Sequence, residues 1–147
     1  MATGLLNGTD LLLKVGDTAT EDPIAYATSC SLEISMDEID QTNKDSSGWK
    51  TILGGTRSWS VSADILYQNE VLASKYTFTD FWDHLGGTNE REKLYVELTV
   101  AGSSTGNKYY SGQGYITSLS VNGGTEDQAT YSVTITGSGV LTEDTVA

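Results

Sequence analysis

Cysteine, histidine and proline each occur once in this 147-residue chain, as Cys30, His84 and Pro23. A single thiol excludes an internal disulfide. One Cys with one His excludes the usual four-ligand zinc site. Cations are also scarce. Eight Lys and Arg stand against 20 Asp and Glu, a net charge of −12. That balance excludes the basic face a nucleic-acid binder needs and the polybasic patch of a membrane-surface binder. Long apolar runs are missing too: Leu11–Leu13 is far short of the about 20 residues that span a bilayer. Met1–Asp10 has neither a basic n-region nor an apolar h-region, so synthesis in a cytoplasm, without export and in soluble form, is the expectation.

What the chain has is Thr, Ser and Gly, with 20, 16 and 16 residues. Thirteen aromatics and many β-branched residues leave enough apolar surface for one core. Several segments alternate with a period of two, the strand signature. In 30–36, Cys30, Leu32, Ile34 and Met36 share one face and Ser31, Glu33 and Ser35 the other. In 58–66, Trp59, Val61, Ala63 and Ile65 oppose Ser58, Ser60, Ser62 and Asp64. Leu94, Val96, Leu98 and Val100 follow the same rule, as do Ala129, Tyr131, Val133 and Ile135 against Thr130, Ser132, Thr134 and Thr136. Strands are also expected over 10–16, 24–28 and 109–121, the last bent or bulged at Gly112 and Gly114. One short helix is expected, capped by Thr79, with Phe78, Phe81, Trp82 and Leu85 as its apolar stripe and Gly86-Gly87 as its stop. The predicted architecture is one all-β, mainly antiparallel domain over 1–147: a β-sandwich or partly closed barrel of seven or eight strands with one helix. Residues 1–9 read as a flexible arm, 37–57 as a long loop forming the oversized, partly stranded tip of one hairpin, and 141–147 as a polar tail.

Candidate chemistry is sparse. Cys30 reads as a small buried hydrophobe, and His84 as a helix-surface or helix-end residue without a triad around it. Asp37, Glu38 and Asp40 read as a solvated acidic turn rather than a glycosidase pair. Asn43, Asp45, Ser47 and Gly48 copy the start of a calcium loop, but its twelfth position is Gly54 and no helices are expected beside it. No glycine cluster matches a phosphate cradle. Trp59 and Trp82 lie on patterned apolar faces and are assigned to the core. Trp49 lies in a polar loop, where an aromatic is a typical interface anchor. No enzyme, cofactor or metal is expected. A carbohydrate- or ligand-binding β-sandwich module, using Tyr109, Tyr110 and Trp49 as a platform, is the alternative reading.

Across almost its whole length the chain resembles the major tail proteins of long-tailed phages, the subunits of the tail tube. The resemblance is carried by an ordered set of short segments: Gly8–Val15, Ile24–Thr28 with Ser31–Ser35, the loop Glu38–Trp49, Gly54–Ser62, Gly112–Ser120, and Thr136–Gly139. It implies a virion protein whose hexameric rings stack into a tube around a tape-measure protein, bounded by tail-tip and tail-terminator proteins, with DNA passing through unbound. It also implies inner sheets joining into one ring barrel. The polar strand faces would line the lumen: Ser31, Glu33, Ser35, Ser60, Ser62 and Asp64 from the first hairpin, and Ser118, Ser120, Thr130, Ser132, Thr134 and Thr136 from the second. The 37–57 loop, with Asp37, Glu38, Asp40, Lys44, Asp45, Trp49, Ile52 and Arg57, would reach a neighbouring subunit.

Overall fold

A computed structural model describes residues 11–16, 22–24, 26–68, 75–86, 93–100 and 105–147. The expected arm 1–9 lies outside them. In chain order the elements are β1 (Leu12–Gly16), β2 (Asp22–Pro23), β3 (Ala27–Asp40), β4 (Ile52–Leu66), α1 (Phe78–Leu85), β5 (Leu94–Thr99), β6 (Lys108–Asn122), β7 (Thr130–Gly137) and β8 (Thr142–Thr145). All eight strands belong to one antiparallel sheet, ordered β2-β1-β5-β6-β7-β4-β3, with β8 also on β6. The order runs from β2 to β3 without closing, so within one chain the sheet is open rather than a barrel.

β6 joins two halves. Its residues 109–114 pair with β5, and 114–122 pair with β7 along the opposite edge. The register slips between Ile116 and Ser118, so Thr117 is one residue extra. Such a bulge sharpens the twist. It also explains how Ile116 and Leu119, three apart, both meet the core. The bulge is therefore at Thr117 and not at Gly112 or Gly114. Those glycines answer close approaches instead. A Cβ on Gly112 would sit 2.6 Å from the Trp59 ring, and one on Gly114 would collide with the Thr136 carbonyl.

The core is built by the apolar residues of the alternating strands. Val61, Ala63 and Ile65 of β4 and Tyr131, Val133 and Ile135 of β7 are buried with Leu13 and Val15 of β1 and Leu94, Val96 and Leu98 of β5. Phe81 of α1 completes the cluster at 0% exposure. Each such side chain contributes about 1.5–3 kcal/mol by leaving water.

The helix starts earlier and faces differently than the stripe suggests. Thr77, not Thr79, is its N-cap. The Asp80 carboxylate accepts from the Thr77 amide (2.9 Å) and from its hydroxyl (3.0 Å). Phe81 and His84 turn inward, with His84 only 5% exposed and its ring stacked on Tyr76. Trp82 is 51% exposed, so it is not a core residue, and His84 is not on the surface. Tyr76 and Tyr131 meet the Phe81 ring, and Phe78 and Tyr67 pack in turn on Tyr131, which fixes this rotation of the helix.

Two connections are more regular than the sequence suggests. Of the expected 37–57 loop, Asp37–Asp40 belongs to β3 and Ile52–Arg57 to β4, leaving only 41–51 as a tip. The expected polar tail contains β8, which pairs with Lys108–Ser111. Glu143 holds it there, accepting from Lys108 Nζ (2.6 Å) and from the Tyr110 hydroxyl (2.8 Å).

Candidate assembly surfaces

β3, β4, β7 and the far half of β6 make a four-stranded sheet with one apolar and one polar face. Because pairing partners point the same way, the register assigns every side chain to a face. Ser31, Ser62, Thr134 and Ser118 form one row across the four strands. Glu33, Ser60 and Thr136 form the next, and Ser29, Asp64, Ser132 and Ser120 the one on the other side. With Ser35 and Thr130, all twelve residues read from sequence as one polar wall share this face. Ser29, Ser58 and Thr117 also belong to it. The first two simply continue the period of two; Thr117 needed knowledge of the bulge.

Hydroxyls on this face satisfy one another. Ser31 and Ser62 are 2.6 Å apart, Ser35 and Ser58 2.9 Å, and Thr117 and Thr136 3.0 Å. Asp64 ties three strands together, accepting from Ser29 (3.1 Å) on β3 and Ser132 (2.7 Å) on β7. Glu33 and Asp64 are the charged residues of the face, and among the described residues it carries no Lys or Arg. An acidic, hydroxyl-rich surface of this kind repels phosphate instead of retaining it.

Among the described residues, both outer edges of this four-stranded sheet are unpaired. β3 has β4 on one side and nothing on the other among the described residues. β6 loses β5 after Gly114, so its edge over 115–122 is unpaired there as well. Long unpaired edges invite another strand. The opposite end of the whole sheet is treated differently. β2 is two residues long and holds the only proline, Pro23.

Past Ser60, β7 no longer accompanies β4, and β3 and β4 continue alone as a two-stranded arm. Asp37, Glu38, Asp40, Lys44, Asp45, Trp49, Ile52 and Arg57 are spread along it, all exposed, rather than gathered in one site. Its tip is ordered by its own polar groups. The Asn43 side chain accepts from the Asp45 amide (2.9 Å), and the Asn43 amide donates to Ser46 Oγ (3.1 Å). Ser47 and Gly48 take the left-handed conformation that turns the chain (φ 53° and 84°). The Thr42 amide and hydroxyl hold the Asp40 carboxyl below its ordinary range. Trp49 stands out of this tip at 79% exposure, while Met36, Ile39, Ile52 and Leu53 leave about half their surface in water. An isolated two-stranded ribbon is marginal in water, and this arm leaves its apolar side chains open.

The remaining candidates do not form a site. Burial pushes the Cys30 thiol up, away from the reactive thiolate, and its Sγ donates weakly to the Leu11 carbonyl (3.9 Å). Tyr109 and Tyr110 are consecutive in a strand and face opposite ways, far in sequence and fold from Trp49 on the arm. They make no aromatic platform.

The comparisons with known proteins agree with this geometry. The sequence matches the phage tail tube protein family over residues 5–143. No curated protein matches it. Among solved structures, it resembles the tail of an empty gene transfer agent particle refined with C6 symmetry, at 22% identity and TM-score 0.74, covering 94% of this chain and 98% of that one. The SPP1 tail tube matches at 10% identity and TM-score 0.74, covering 96% and 80%. A chain of the anti-feeding prophage baseplate matches at 9% identity and TM-score 0.65, covering 99% of both. With a family match over nearly its whole length and a sheet of the same fold, the chain belongs to the phage tail tube protein family and is a structural component of the virion tail.

Proposed function

We propose that six copies close into a ring through the bare edges of β3 and β6, and that rings stack into the tube through the β3–β4 arm. The observation that carries this reading is the four-stranded sheet with two free edges. Within it β3, β4, β7 and β6 alternate in direction. An even number of alternating strands leaves β6 antiparallel to the β3 of a copy related by rotation about the tube axis. Every seam is then an ordinary antiparallel pair. Six copies of four strands give 6 × 4 = 24 strands, beyond the about 16–18 at which barrels already hold an aqueous channel.

The apolar face of the sheet is occupied by the core, so only the polar face is free to line the lumen. That gives Ser31, Glu33, Ser35, Ser60, Ser62, Asp64, Ser118, Ser120, Thr130, Ser132, Thr134 and Thr136 the lumen role. The six-fold symmetry of the gene transfer agent tail and of the anti-feeding prophage baseplate supports the ring number. A tape-measure protein inside the tube, tip and terminator proteins at its ends, and DNA as its cargo complete the reading. No catalytic role is assigned.

Negative-stain electron microscopy of the purified protein over a concentration series, with and without added tail-tip complexes, tests it. Rings with a central hole or hollow tubes are expected. Monomers at every concentration that also fail to extend tips would overturn it.

A further inference from the structure

We infer that α1 is the clasp of the ring seam: its Trp82 and Leu85 dock on the core-side face of β3, at Ile34 and Met36, of the neighbouring copy. The inference rests on the ring reading and adds a second layer to the strand pairing.

Among the described residues, and apart from the arm tip and Val140, two exposed apolar patches lie at opposite edges of the same sheet. On β3, Cys30 and Leu32 are partly covered by the core, but Ile34 and Met36 on the same face are 60% and 54% exposed. At the other edge, Trp82 and Leu85 of α1 are 51% and 40% exposed, and β6 adds Val121 at 51%.

The register sets the stagger that would bring them together: unshifted, Leu32 is level with Ile116, and a shift of two or four residues brings Ile34 or Met36 to that height. Leu32, Val61, Ile135 and Ile116 are successive partners across the four strands. Beyond Ile116 the edge is bare, and His84 and Leu85 of α1 share an open cleft of about 270 Å³ with Tyr115 and Ile116. A β3 from a second copy, added at this edge with its serine face toward the lumen, turns Cys30, Leu32, Ile34 and Met36 toward α1. Any stagger between copies must be an even number of residues, because an odd one would exchange the faces. A stagger of zero, two or four residues puts Leu32, Ile34 or Met36 beside Ile116, under the helix. The exposed side of α1 then covers the part of β3 that its own chain leaves open. Burying two such apolar patches against each other removes both from water.

Disulfide trapping in assembled tubes tests this. In a Cys30→Ser background, Leu85→Cys is combined in turn with Leu32→Cys, Ile34→Cys or Met36→Cys, and tubes are oxidised and run on a denaturing gel. A bridge needs Cα atoms about 5.5–6 Å apart, so a ladder of linked chains ending at six is expected for at least one pair. Leu85→Cys with Glu33→Cys, whose side chain faces the lumen, should give none. Tubes that form with no ladder for any core-side pair would overturn the clasp and leave the ring standing. Should the wild-type chain form no rings on tail tips, the ring reading falls and the clasp with it.

Discussion

The indole of Trp59 lies across Gly137 in van der Waals collision range of any side chain there, and its Nε1 donates to the Gly139 carbonyl at 3.2 Å. This relationship explains why β7 and β8 are two strands. Both run along the same edge of β6, and the break between them, residues 138–141, is where the tryptophan is seated. A Cβ at position 137 would have to share space with the ring. Gly137→Ala should therefore destabilise the subunit by about 1–3 kcal/mol, the range for overpacking. Urea unfolding of the unassembled chain measures it. A double variant with Trp59→Leu should recover part of the loss if the ring is the cause.

β8 is held by a charged pair and should loosen in acid. Hydrogen bonds from Lys108 and Tyr110 hold the Glu143 carboxyl below its ordinary value, and Glu143 raises Lys108 above its own. A depressed carboxyl pKa stabilises the folded form above the unfolded pKa, and that contribution fades as pH falls through the folded value. The raised lysine acts at the other end: its contribution is full below the ordinary lysine value and fades as pH climbs through the raised one. Amide protection of Thr142–Thr145, corrected for intrinsic exchange rate, should therefore fall below the ordinary carboxylate range before that of β7. Glu143→Gln should remove this acid step.

Trp49 is the most exposed aromatic of the arm, and its removal should act on assembly alone. Trp49→Ala should keep the β-sheet circular dichroism of the wild type. An interface anchor of this kind is worth about 2 kcal/mol or more, so the concentration needed for polymerisation should rise about thirtyfold or more. Light scattering against concentration reads this. Polymerisation at the wild-type threshold would remove Trp49 from the contact.

The lumen assignment predicts a defect in transport rather than in structure. Glu33→Lys with Asp64→Lys changes each subunit by +4 (two substitutions of +2), so a six-copy ring gains 6 × 4 = 24 positive charges. Tubes should still form, since the backbone ladder is untouched, but DNA delivery should fall and recover partly at higher salt, as counterion release requires. Normal infectivity of particles carrying both lysines would sink the assignment.

Much of this was legible in the sequence because a strand's alternation fixes its own faces. Alternation separates Ser31 and Ser62 from the apolar faces of their own strands, and Thr134 likewise; that these strands share one wall with Ser118 is implied only by the family resemblance, and the pairing register puts all four in one row. Other features depended on contacts that no local pattern records. Thr142–Thr145 is polar on both sides, so β8 carries no alternation and is fixed by Lys108 and Tyr110 from a distant segment. In α1 the stripe of Phe78, Phe81, Trp82 and Leu85 is wide enough to point two ways. The aromatic cluster around Tyr76 and Tyr131 selected Phe81 and His84 for the interior. Gly112 and Gly137 look like strand breakers until the Trp59 ring is seen against them.

Pro23 has a consequence for the dimensionality of growth. The chain spends its lone proline on β2, the shortest strand of the sheet, where an added strand would find too little backbone to hold. In the proposed ring the bare edges of β3 and β6 are consumed, which leaves β2 and the outer edge of β8 as the flanks among the described residues. A capped flank at β2 keeps polymerisation one-dimensional. In the proposed tube the β8 flank is only four residues long and carries Glu143 and Asp144, so tubes should lengthen without fusing side by side into rafts.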